Sequence, residues 1–466
     1  MGVPSLASRQ LFSACRLAGT IALAASLAFS PAYLYAQNGA SGITPAEAVG
    51  MSAERLQRID TVFERYVAEK RIAGAVALVM RDGRTVHLKS YGKRDVESNT
   101  PMTQDSIFRI ASMSKAITTA AAMVLVEEGL LLLNDPVSKY LPSFKQTFVA
   151  APPPANSPPD ARLGQVPAKR PITIRDIMSQ TAGISYGGGA LSRDYQAAGF
   201  NQWYCADRDE TVAQFIDRLA TLPFQGQPGE AWVYGFGTDI LGRVIEIASG
   251  MPLDQFFQTR LFTPLRMTDT YFYLPREKAS RLATVYAAQA DGTIMRAPDS
   301  GRMGQGEYVE GPRKCFSGGA GLVSTVNDYG RFLQMLLNGG ELDGTRVLSP
   351  AAIASMTSNH VGSLYQNGDL GFGLGFEVIE HVGRAGRLGA QGEFGWSSAY
   401  YPRYWVDPEN GVVALFLLQL MPNGGLDLQH KFRSLVYQSI IAPGRRDSRG
   451  VPVTPVVTSG KKQSAR

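Results

Sequence analysis

Hydrophobic residues recur first at helical and then at strand spacing near the beginning of the chain. The segment "SAERLQRIDTVFERYVAEK" (52–70) places apolar residues three and four positions apart, which predicts an amphipathic helix. The next segment, "AGAVALVMRDGRTVHLKSYG" (73–92), contains two strand-like runs joined at Asp82-Gly83, a dipeptide typical of tight hairpin turns. The sequence therefore predicts a helix followed by a β-hairpin.

The other end of the chain predicts a hairpin followed by a helix. The segment "AYYPRYWVDPENGVVALFLLQL" (399–420) turns at "DPENG", and "LQHKFRSLVYQSII" (428–441) has helical spacing. Between the two ends lies a region, about 130–310, in which helical patterns prevail. We expect an α+β fold with one antiparallel sheet built from both chain ends, flanked by helices, and a mostly helical second region.

Two irregular stretches interrupt the helical middle. The proline-rich "AAPPPANSPPDARLGQVPAKRP" (150–171) predicts a surface loop. The stretch "SYGGGALSRDYQAAGFNQWYCADRD" (185–209) mixes glycines with aromatic residues, which fits either a loop framing a binding cleft or an ordinary long connection.

The first 36 residues have the features of a cleaved secretory signal. Arg9 and Arg16 flank the start of an apolar run, "LAGTIALAASLAF", and the segment ends at a small residue, Ala36. The run is too short to span a bilayer comfortably, and an uncleaved anchor is the alternative. We predict a signal peptide at 1–36, one folded domain at 37–443 and a disordered basic tail at 444–466. The mature protein would be periplasmic or secreted, without a stable membrane span.

The formal charge of +6 resides at the chain ends. The signal contributes two positive charges and residues 442–466 a net five, which leaves the rest of the chain close to −1. A domain without basic excess lacks the electrostatic footprint of a nucleic-acid-binding protein, so we expect no nucleic-acid partner.

The cysteine content allows one disulfide in the mature protein but does not require it. Cys15 should be removed with the signal, so Cys205 and Cys315 remain. In an oxidising compartment these two could pair or stay free. Without a CxxC motif or a histidine cluster they predict no metal site, and we expect neither a metal nor another cofactor.

The segment "RIASMSKAITTAAAMVLVEEG" (109–129) places two serines and a lysine at the start of an apolar helix. Ser112 and Lys115 are three residues apart and share one face of its first turn, whereas Ser114 points elsewhere. A catalytic serine needs a base, and burial lowers the pKa of a lysine, which favours its neutral amine. Backbone N–H groups at the helix start favour negative charge developing near the serine.

Two later stretches complete a possible active site. Tyr234 in "QPGEAWVYGFGTDILG" (227–242) precedes another helical pattern, and a phenol opposite a serine–lysine pair can relay a proton to a leaving group. The stretch "GEFGWSSAYYP" (392–402) brings small residues into a strand, where a backbone N–H can complete an oxyanion hole with that of Ser112.

These motifs resemble the serine beta-lactamase and penicillin-recognising superfamily, in particular its class C-like branch with the family VIII carboxylesterases. The resemblance implies Ser112 as nucleophile, Lys115 as its base, Tyr234 as proton shuttle, and the N–H groups of Ser112 and Ala399 as the oxyanion hole. It covers roughly residues 50–440 in one order, through "FRIASMSKAIT", "LNDPVSKYLPSF", "ITIRDIMSQTAGI", "QPGEAWVYGFGTDILG", "GGAGLVSTVNDYGRFLQMLLNGG" and "WSSAYYPRYWVDPENGVVALFLLQ".

Two departures from the family pattern point to ester substrates. Phe236 stands where lactamases and peptidases usually have an Asn that holds the substrate amide. Trp396-Ser397-Ser398 replaces Lys-Thr-Gly or His-Thr-Gly, whose cation would pair with a substrate carboxylate, and the esterase branch commonly has Trp-Gly-Gly there. We therefore expect Phe236, Trp396, Ser397 and Ser398 to form the substrate site.

A rival nucleophile is Ser185, because "GISYG" (183–187) satisfies the GxSxG pattern of alpha/beta-hydrolases. That motif needs a buried strand before it, whereas "TIRDIMSQTA" (173–182) predicts a polar helix. His360, His381 and His430 lack a paired acid and are expected to be ordinary surface or hydrogen-bonded histidines.

The sequence thus predicts an exported serine hydrolase that cleaves carboxylic esters through an acyl-enzyme. One alternative is a beta-lactamase or D-amino-acid amide or peptide hydrolase. The other is a non-catalytic relative that uses the same cleft to bind peptidoglycan fragments or a protein partner.

Overall fold

The two ends of the chain meet in one antiparallel sheet. The computed structural model describes residues 42–153, 155–158, 161–301 and 303–444. The predicted signal peptide (1–36) and residues 445–466 of the predicted tail lie outside the described residues.

The secondary-structure elements alternate between short strands and helices of at most 16 residues. The strands are β1 (Gly74–Arg81), β2 (Arg84–Asp95), β3 (Thr100–Pro101), β4 (Phe108–Arg109), β5 (Phe148–Ala151), β6 (Gly164–Pro167), β7 (Tyr286–Ala288), β8 (Ile294–Arg296), β9 (Val323–Ser324), β10 (Glu341–Leu342), β11 (Thr345–Arg346), β12 (Gly371–Phe372), β13 (Glu377–Val378), β14 (Phe394–Ser397), β15 (Arg403–Asp407) and β16 (Val412–Leu417). The α-helices are α1 (Ala53–Ala68), α2 (Ser114–Glu127), α3 (Ile174–Met178), α4 (Ser192–Ala197), α5 (Val212–Leu219), α6 (Gly237–Ser249), α7 (Leu253–Phe257), α8 (Val326–Leu337), α9 (Pro350–Met356), α10 (Val382–Ala385) and α11 (Leu428–Gln438).

The main sheet has eight strands in the order β12-β13-β14-β15-β16-β1-β2-β3. Its centre is the antiparallel pair of β1 with β16, in which Val76 lies opposite Leu417 and Arg81 opposite Val412. The first strand of the domain is therefore hydrogen-bonded to its last strand, and the predicted α+β architecture is confirmed.

Both predicted hairpins and both terminal helices are present. β1 and β2 are joined at Asp82 and Gly83, with φ of 51° and 73°, so both turn residues are in the left-handed region that this tight turn requires. β15 and β16 form the second hairpin, and α1 and α11 are the two terminal helices.

The central strands are buried on both faces because the sheet separates two hydrophobic layers. Ala75, Ala77 and Val79 of β1 belong to the layer that contains α1 and α11, whereas Val76 and Leu78 belong to the layer with α2 and α8. α8 approaches the sheet closely at Gly330, where a Cβ atom would lie 2.6 Å from Leu78 Cδ2.

The middle of the chain contains α3 to α7 and two small hairpins, β5–β6 and β7–β8. The described residues of the proline-rich stretch include β6, which pairs with β5 at the start of that stretch. Cys205 and Cys315 are joined in a disulfide, which links the stretch after α4 to the stretch before β9 across 110 residues. Among the described residues, no helix is long and apolar enough to cross a membrane.

Replacement of both cysteines by serine is expected to lower the free energy of unfolding by about 2–4 kcal/mol, because the unfolded chain then loses a constraint on a long loop. Thermal and denaturant unfolding of the double variant against the parent checks this. The parent treated with reductant is the control, and equal stability of oxidised parent and double variant would contradict the expectation.

Candidate active site

Ser112 lies in a strained turn at the entrance to α2. Residues Ala111–Met113 form a single 3-10 turn directly before the helix, and Ala111 has a φ of +38°, which non-glycine residues rarely adopt. The Met113 carbonyl accepts a hydrogen bond of 2.9 Å from the Tyr329 hydroxyl, which fixes the turn from the side of α8. Ser112 itself is 9% exposed, so it lies at the boundary between core and solvent.

Lys115 is buried one turn further along α2, with 2% of its surface exposed. Its Nζ donates hydrogen bonds to the Tyr186 hydroxyl at 2.9 Å and to the Gly319 carbonyl oxygen at 2.8 Å. The same Nζ lies 4.7 Å from the ring centroid of Tyr234, within the range of a cation–π contact. Ser114, in contrast, accepts a hydrogen bond from the Leu322 backbone N–H, so it points elsewhere as expected.

The surroundings of Lys115 favour its charged form in the free enzyme. Burial lowers the pKa of Lys115, but Tyr186, Tyr234 and Asp239 raise it by more, and the net pKa lies above that of an ordinary lysine. Two acceptors at hydrogen-bond distance favour the charged form for the same reason. A neutral Lys115 that accepts the proton of Ser112 therefore stays a prediction.

Tyr186 is the site residue that sequence reasoning missed. It follows Ser185 in the same "GISYG" segment that was assessed only for its serine. Burial raises the pKa of Tyr186, while Lys115 lowers it, and the net pKa lies above the ordinary tyrosine value. Tyr186 is therefore a neutral phenol at the side of Lys115.

The two tyrosines reach Lys115 because their backbones pass very close to each other. At Gly235, which follows Tyr234, a Cβ atom would lie 2.2 Å from the Ile184 carbonyl oxygen, so only glycine fits. The two rings meet edge to face at 5.8 Å between centroids. Gln180 joins the two segments, because its side chain accepts from the Gly235 N–H at 3.2 Å.

Trp396 comes from β14, which lies between β13 and β15 in the main sheet. Its Nε1 donates a hydrogen bond of 3.2 Å to the Tyr234 hydroxyl oxygen, and the two ring centroids are 5.5 Å apart. β14 also contacts the turn that carries Ser112. The structure thus brings Ser112, Lys115, Tyr234 and Trp396 together from three separate parts of the chain.

Phe236 does not line the cleft as expected. It is fully buried and packs edge to face beneath Tyr186, with 4.7 Å between ring centroids. The reason is that it is the residue immediately before α6 and contacts Phe200 and Phe215 in the helical core. Its nearest contact within the site is therefore the ring of Tyr186.

The residues after Trp396 are placed differently from one another. Ser397 pairs with Arg403 on β15, and because side chains alternate along a strand, it points to the face opposite Trp396. Ser398 Oγ is buried without a hydrogen-bond partner among the described residues. Ala399 is partly exposed and packs against the main core beyond the end of β14. The oxyanion role of its N–H stays a prediction.

The rival nucleophile lies in a different setting. Ser185 is buried and its Oγ accepts the Gly187 N–H, and helix α3, not a strand, precedes it. His381 and His430 are exposed, and a ring nitrogen of His360 lies 2.8 Å from the Ser355 carbonyl oxygen. Among the described residues, no group of His, Cys, Asp or Glu is arranged to hold a metal ion.

Aromatic side chains continue the site beyond Trp396. Trp232 stacks on Tyr234 at 5.7 Å and contacts Tyr365 at 4.6 Å between ring centroids. Tyr365 donates a hydrogen bond of 2.8 Å to the buried carboxylate of Glu377. That carboxylate also forms ion pairs with two arginines, Arg387 and Arg403. We call Trp232, Tyr365, Phe372 and Trp396 the aromatic wall.

Comparisons with known proteins identify relatives over most of the chain. The family model described as Beta-lactamase matches residues 59–438. Esterase EstB of Burkholderia gladioli is 30% identical over 385 residues, which are 78% of this chain and 91% of the relative.

Two solved structures share the fold. The structure of EstCE1, described as a hydrolase with promiscuous acyltransferase activity, has a TM-score of 0.70 and 28% identity and covers 83% of this chain and 99% of its own. Simvastatin Synthase (LovD) from Aspergillus terreus has a TM-score of 0.68 and 25% identity, covering 82% of this chain and 98% of its own.

Glu377 makes the stability of the aromatic wall dependent on pH. Burial raises the pKa of Glu377, but Arg403, Arg387 and Tyr365 lower it by more, to about 2. An unfolded-state pKa near ~4.3 means that the stabilisation is complete above that pH and is lost as pH falls towards 2. Replacement of Glu377 by Gln should cost roughly 3–5 kcal/mol at pH 7, because it leaves two arginines without their buried partner.

Denaturant unfolding of parent and Glu377→Gln at pH 7 and pH 3 measures this, and the difference should be smaller at pH 3. Glu341→Gln, which removes an exposed pair with Arg346, is the control and should cost at most about 1 kcal/mol. A difference for Glu377→Gln that does not change with pH would contradict the account.

Proposed function

This chain belongs to the beta-lactamase family, and we propose on that basis that it cleaves carboxylic esters through an acyl-enzyme on Ser112. The observation that carries the proposal is the contact of Trp396 Nε1 with Tyr234, beside a buried Lys115. Trp396 is a neutral aromatic residue at the motif position where lactamases have a cation, and this supports an ester as the substrate.

Acylation begins with attack of Ser112 Oγ on the ester carbonyl carbon. The new C–O bond places negative charge on the carbonyl oxygen, and the N–H groups of Ser112 and Ala399 are the proposed donors to it. The proton of Ser112 passes to the oxygen of Tyr234, beside the ammonium of Lys115, as Tyr234 gives its own proton to the departing alkoxide. The serine ester remains.

Tyr234 is a better shuttle than Tyr186 for two reasons. Its hydroxyl oxygen accepts the Trp396 N–H, which holds the phenol in one orientation beside β14. Tyr186 instead has a pKa above the ordinary value and accepts an N–H from Lys115, so it holds the ammonium in position. Deacylation repeats the sequence with water, whose proton passes to Tyr234 and then to the departing oxygen of Ser112.

Ester substrates fit this site better than penicillins or D-amino-acid amides. At the motif position where relatives hold the substrate's peptide group with an Asn, this chain has Phe236, which has no amide and is buried. Trp396 supplies no positive charge for a substrate carboxylate. A buried polar group of the substrate that lacks its partner costs about 1–3 kcal/mol. An ester needs neither the amide partner nor the cation.

Transfer of the acyl group to an alcohol is a second candidate function. Trp232 and Trp396, the partly exposed members of the aromatic wall, offer an apolar surface beside Tyr234 for an alcohol acceptor, and such a surface disfavours water. The descriptions of EstCE1 and of Simvastatin Synthase name acyltransferase or synthase activity for those relatives.

Export from the cytoplasm is the third part of the proposal. The composition of residues 1–36 supports it, and so does the Cys205–Cys315 disulfide, since such bonds persist in oxidising compartments. N-terminal sequencing of the mature protein should find its first residue near Gln37, whereas retained Arg9 and Arg16 would indicate an anchor.

Replacement of Ser112 by Ala should reduce ester turnover by at least about 1,000-fold, because loss of a nucleophile removes the covalent route. Ser185→Ala is the matched control: it removes the serine of the rival motif and should retain most of the activity. Hydrolysis of p-nitrophenyl acetate by both purified variants measures this. Activity lost in Ser185→Ala and kept in Ser112→Ala would reject Ser112 as the nucleophile.

Short-chain p-nitrophenyl esters should exceed nitrocefin in kcat/KM by at least about 100-fold, in line with two missing polar partners. The two substrates are compared on one preparation, with Ser112→Ala as the blank. Comparable values that both disappear in the blank would show that Trp396 and the absent amide do not set the substrate class.

A further inference from the structure

A buried carboxylate, Asp239, stands behind Lys115 without touching the cleft. It lies in the first turn of α6, five residues after Tyr234, and is 1% exposed. No step of the proposed ester hydrolysis uses a carboxylate at this position. Burial of a charged group costs free energy unless the group is paired or hydrogen-bonded, so the partners of Asp239 are informative.

The carboxylate holds the turn that binds Lys115. Asp239 Oδ1 accepts the Ser317 hydroxyl at 2.5 Å and the Gly319 N–H at 3.1 Å. The carbonyl of the same Gly319 accepts the hydrogen bond from Lys115 Nζ at 2.8 Å. One glycine is therefore bound on one side by the carboxylate and on the other by the lysine.

The turn that contains Gly318 and Gly319 is packed tightly between α2 and α6. At Gly319 a Cβ atom would lie 2.4 Å from Asp239 Oδ2, and at Gly318 it would lie 2.7 Å from the Thr238 carbonyl oxygen. The Gly318 carbonyl accepts the Thr118 hydroxyl of α2 at 2.6 Å. A shift of the Asp239 carboxylate would therefore displace the acceptor of Lys115.

We propose that Asp239 is a positioning residue, which holds Lys115 through Gly319 and whose carboxylate stabilises the ammonium of that lysine. The proposal rests on the proposed function of Ser112. Around Lys115, the titratable groups that act on it are Tyr186, Tyr234 and Asp239. Burial raises the pKa of Asp239, whereas Lys115, Ser317 and Gly319 lower it, and the net direction is upward.

The variant Asp239→Asn separates charge from hydrogen bonding, since its Oδ1 can still accept from Ser317 and Gly319. We expect kcat for p-nitrophenyl acetate to fall about 10- to 100-fold, the loss typical of a charged hydrogen-bond partner. KM should stay within about twofold, because Asp239 does not reach the substrate. Loss of a nearby negative charge lowers the pKa of Lys115, so the pH–rate profile should move to lower pH.

The matched control is Asp328→Asn. Asp328 is likewise a buried carboxylate in the first turn of a helix, and it accepts one backbone N–H, from Asp269, and one hydroxyl, from Thr270. It has no bond to the Lys115 network, so its loss should leave both limbs of the profile unshifted. An Asp239→Asn variant with the parent's kcat, or with an unshifted profile, would overturn the proposal.

If Asp239→Asn does not fold, Ser317→Ala is tested instead, because it removes one hydrogen bond to the same carboxylate. Its kcat should fall about two- to tenfold at unchanged KM, and a kcat equal to the parent's would overturn the proposal. If the parent itself shows no turnover that depends on Ser112, the proposed function fails; if the parent is active and the Asp239 and Ser317 variants match it, only this inference fails.

Discussion

The ammonium of Lys115 is the group on which the rest of the site depends. It is buried in an apolar layer, where an unpaired charge would be strongly destabilising, so it must be surrounded by acceptors. The Gly319 carbonyl and the Tyr186 hydroxyl accept its hydrogen bonds, and the Tyr234 ring lies against it. Each of these groups comes from a different segment of the chain. Each segment packs closely against its neighbour at a glycine or makes a buried hydrogen bond.

The need to surround Lys115 with acceptors explains several local features of the backbone. Gly235 allows the segments of Tyr186 and Tyr234 to pass at backbone distance. Gly319 allows the turn that binds Lys115 to lie against Asp239. The strained φ of Ala111 lies in the tight turn that leads Ser112 into α2. The sheet contributes by its order, since the pairing of the first and last strands places β14, and with it Trp396, beside the serine turn.

The sheet and the main site residues were predictable because their signals are local. Period-two and helical patterns defined β1, β2, β15, β16 and the terminal helices, and the spacing of Ser112 and Lys115 placed both in the first turn of a helix. The charge state of Lys115 was not predictable, because burial alone would lower its pKa and the groups that raise it lie 71 to 204 residues away in the chain.

The same limit explains Tyr186 and Phe236. Tyr186 stands in a segment that resembles a different enzyme class, so attention fell on its serine neighbour. Phe236 occupies a motif position that faces substrate in relatives, yet its ring is turned into the helical core, where three aromatic residues surround it. Motif position gives the backbone location of a residue, and only packing decides which way its side chain points.

The central claim, that Ser112 is the nucleophile served by the Lys115 and Tyr234 pair, is tested most directly by locating the covalent intermediate. The protein is treated with a fluorophosphonate, its intact mass is measured, and the modified peptide is sequenced by mass spectrometry. The account predicts one adduct per chain, on the peptide that contains Ser112, and its loss in Ser112→Ala. An adduct on Ser185, or none on a folded protein that hydrolyses esters, would contradict it.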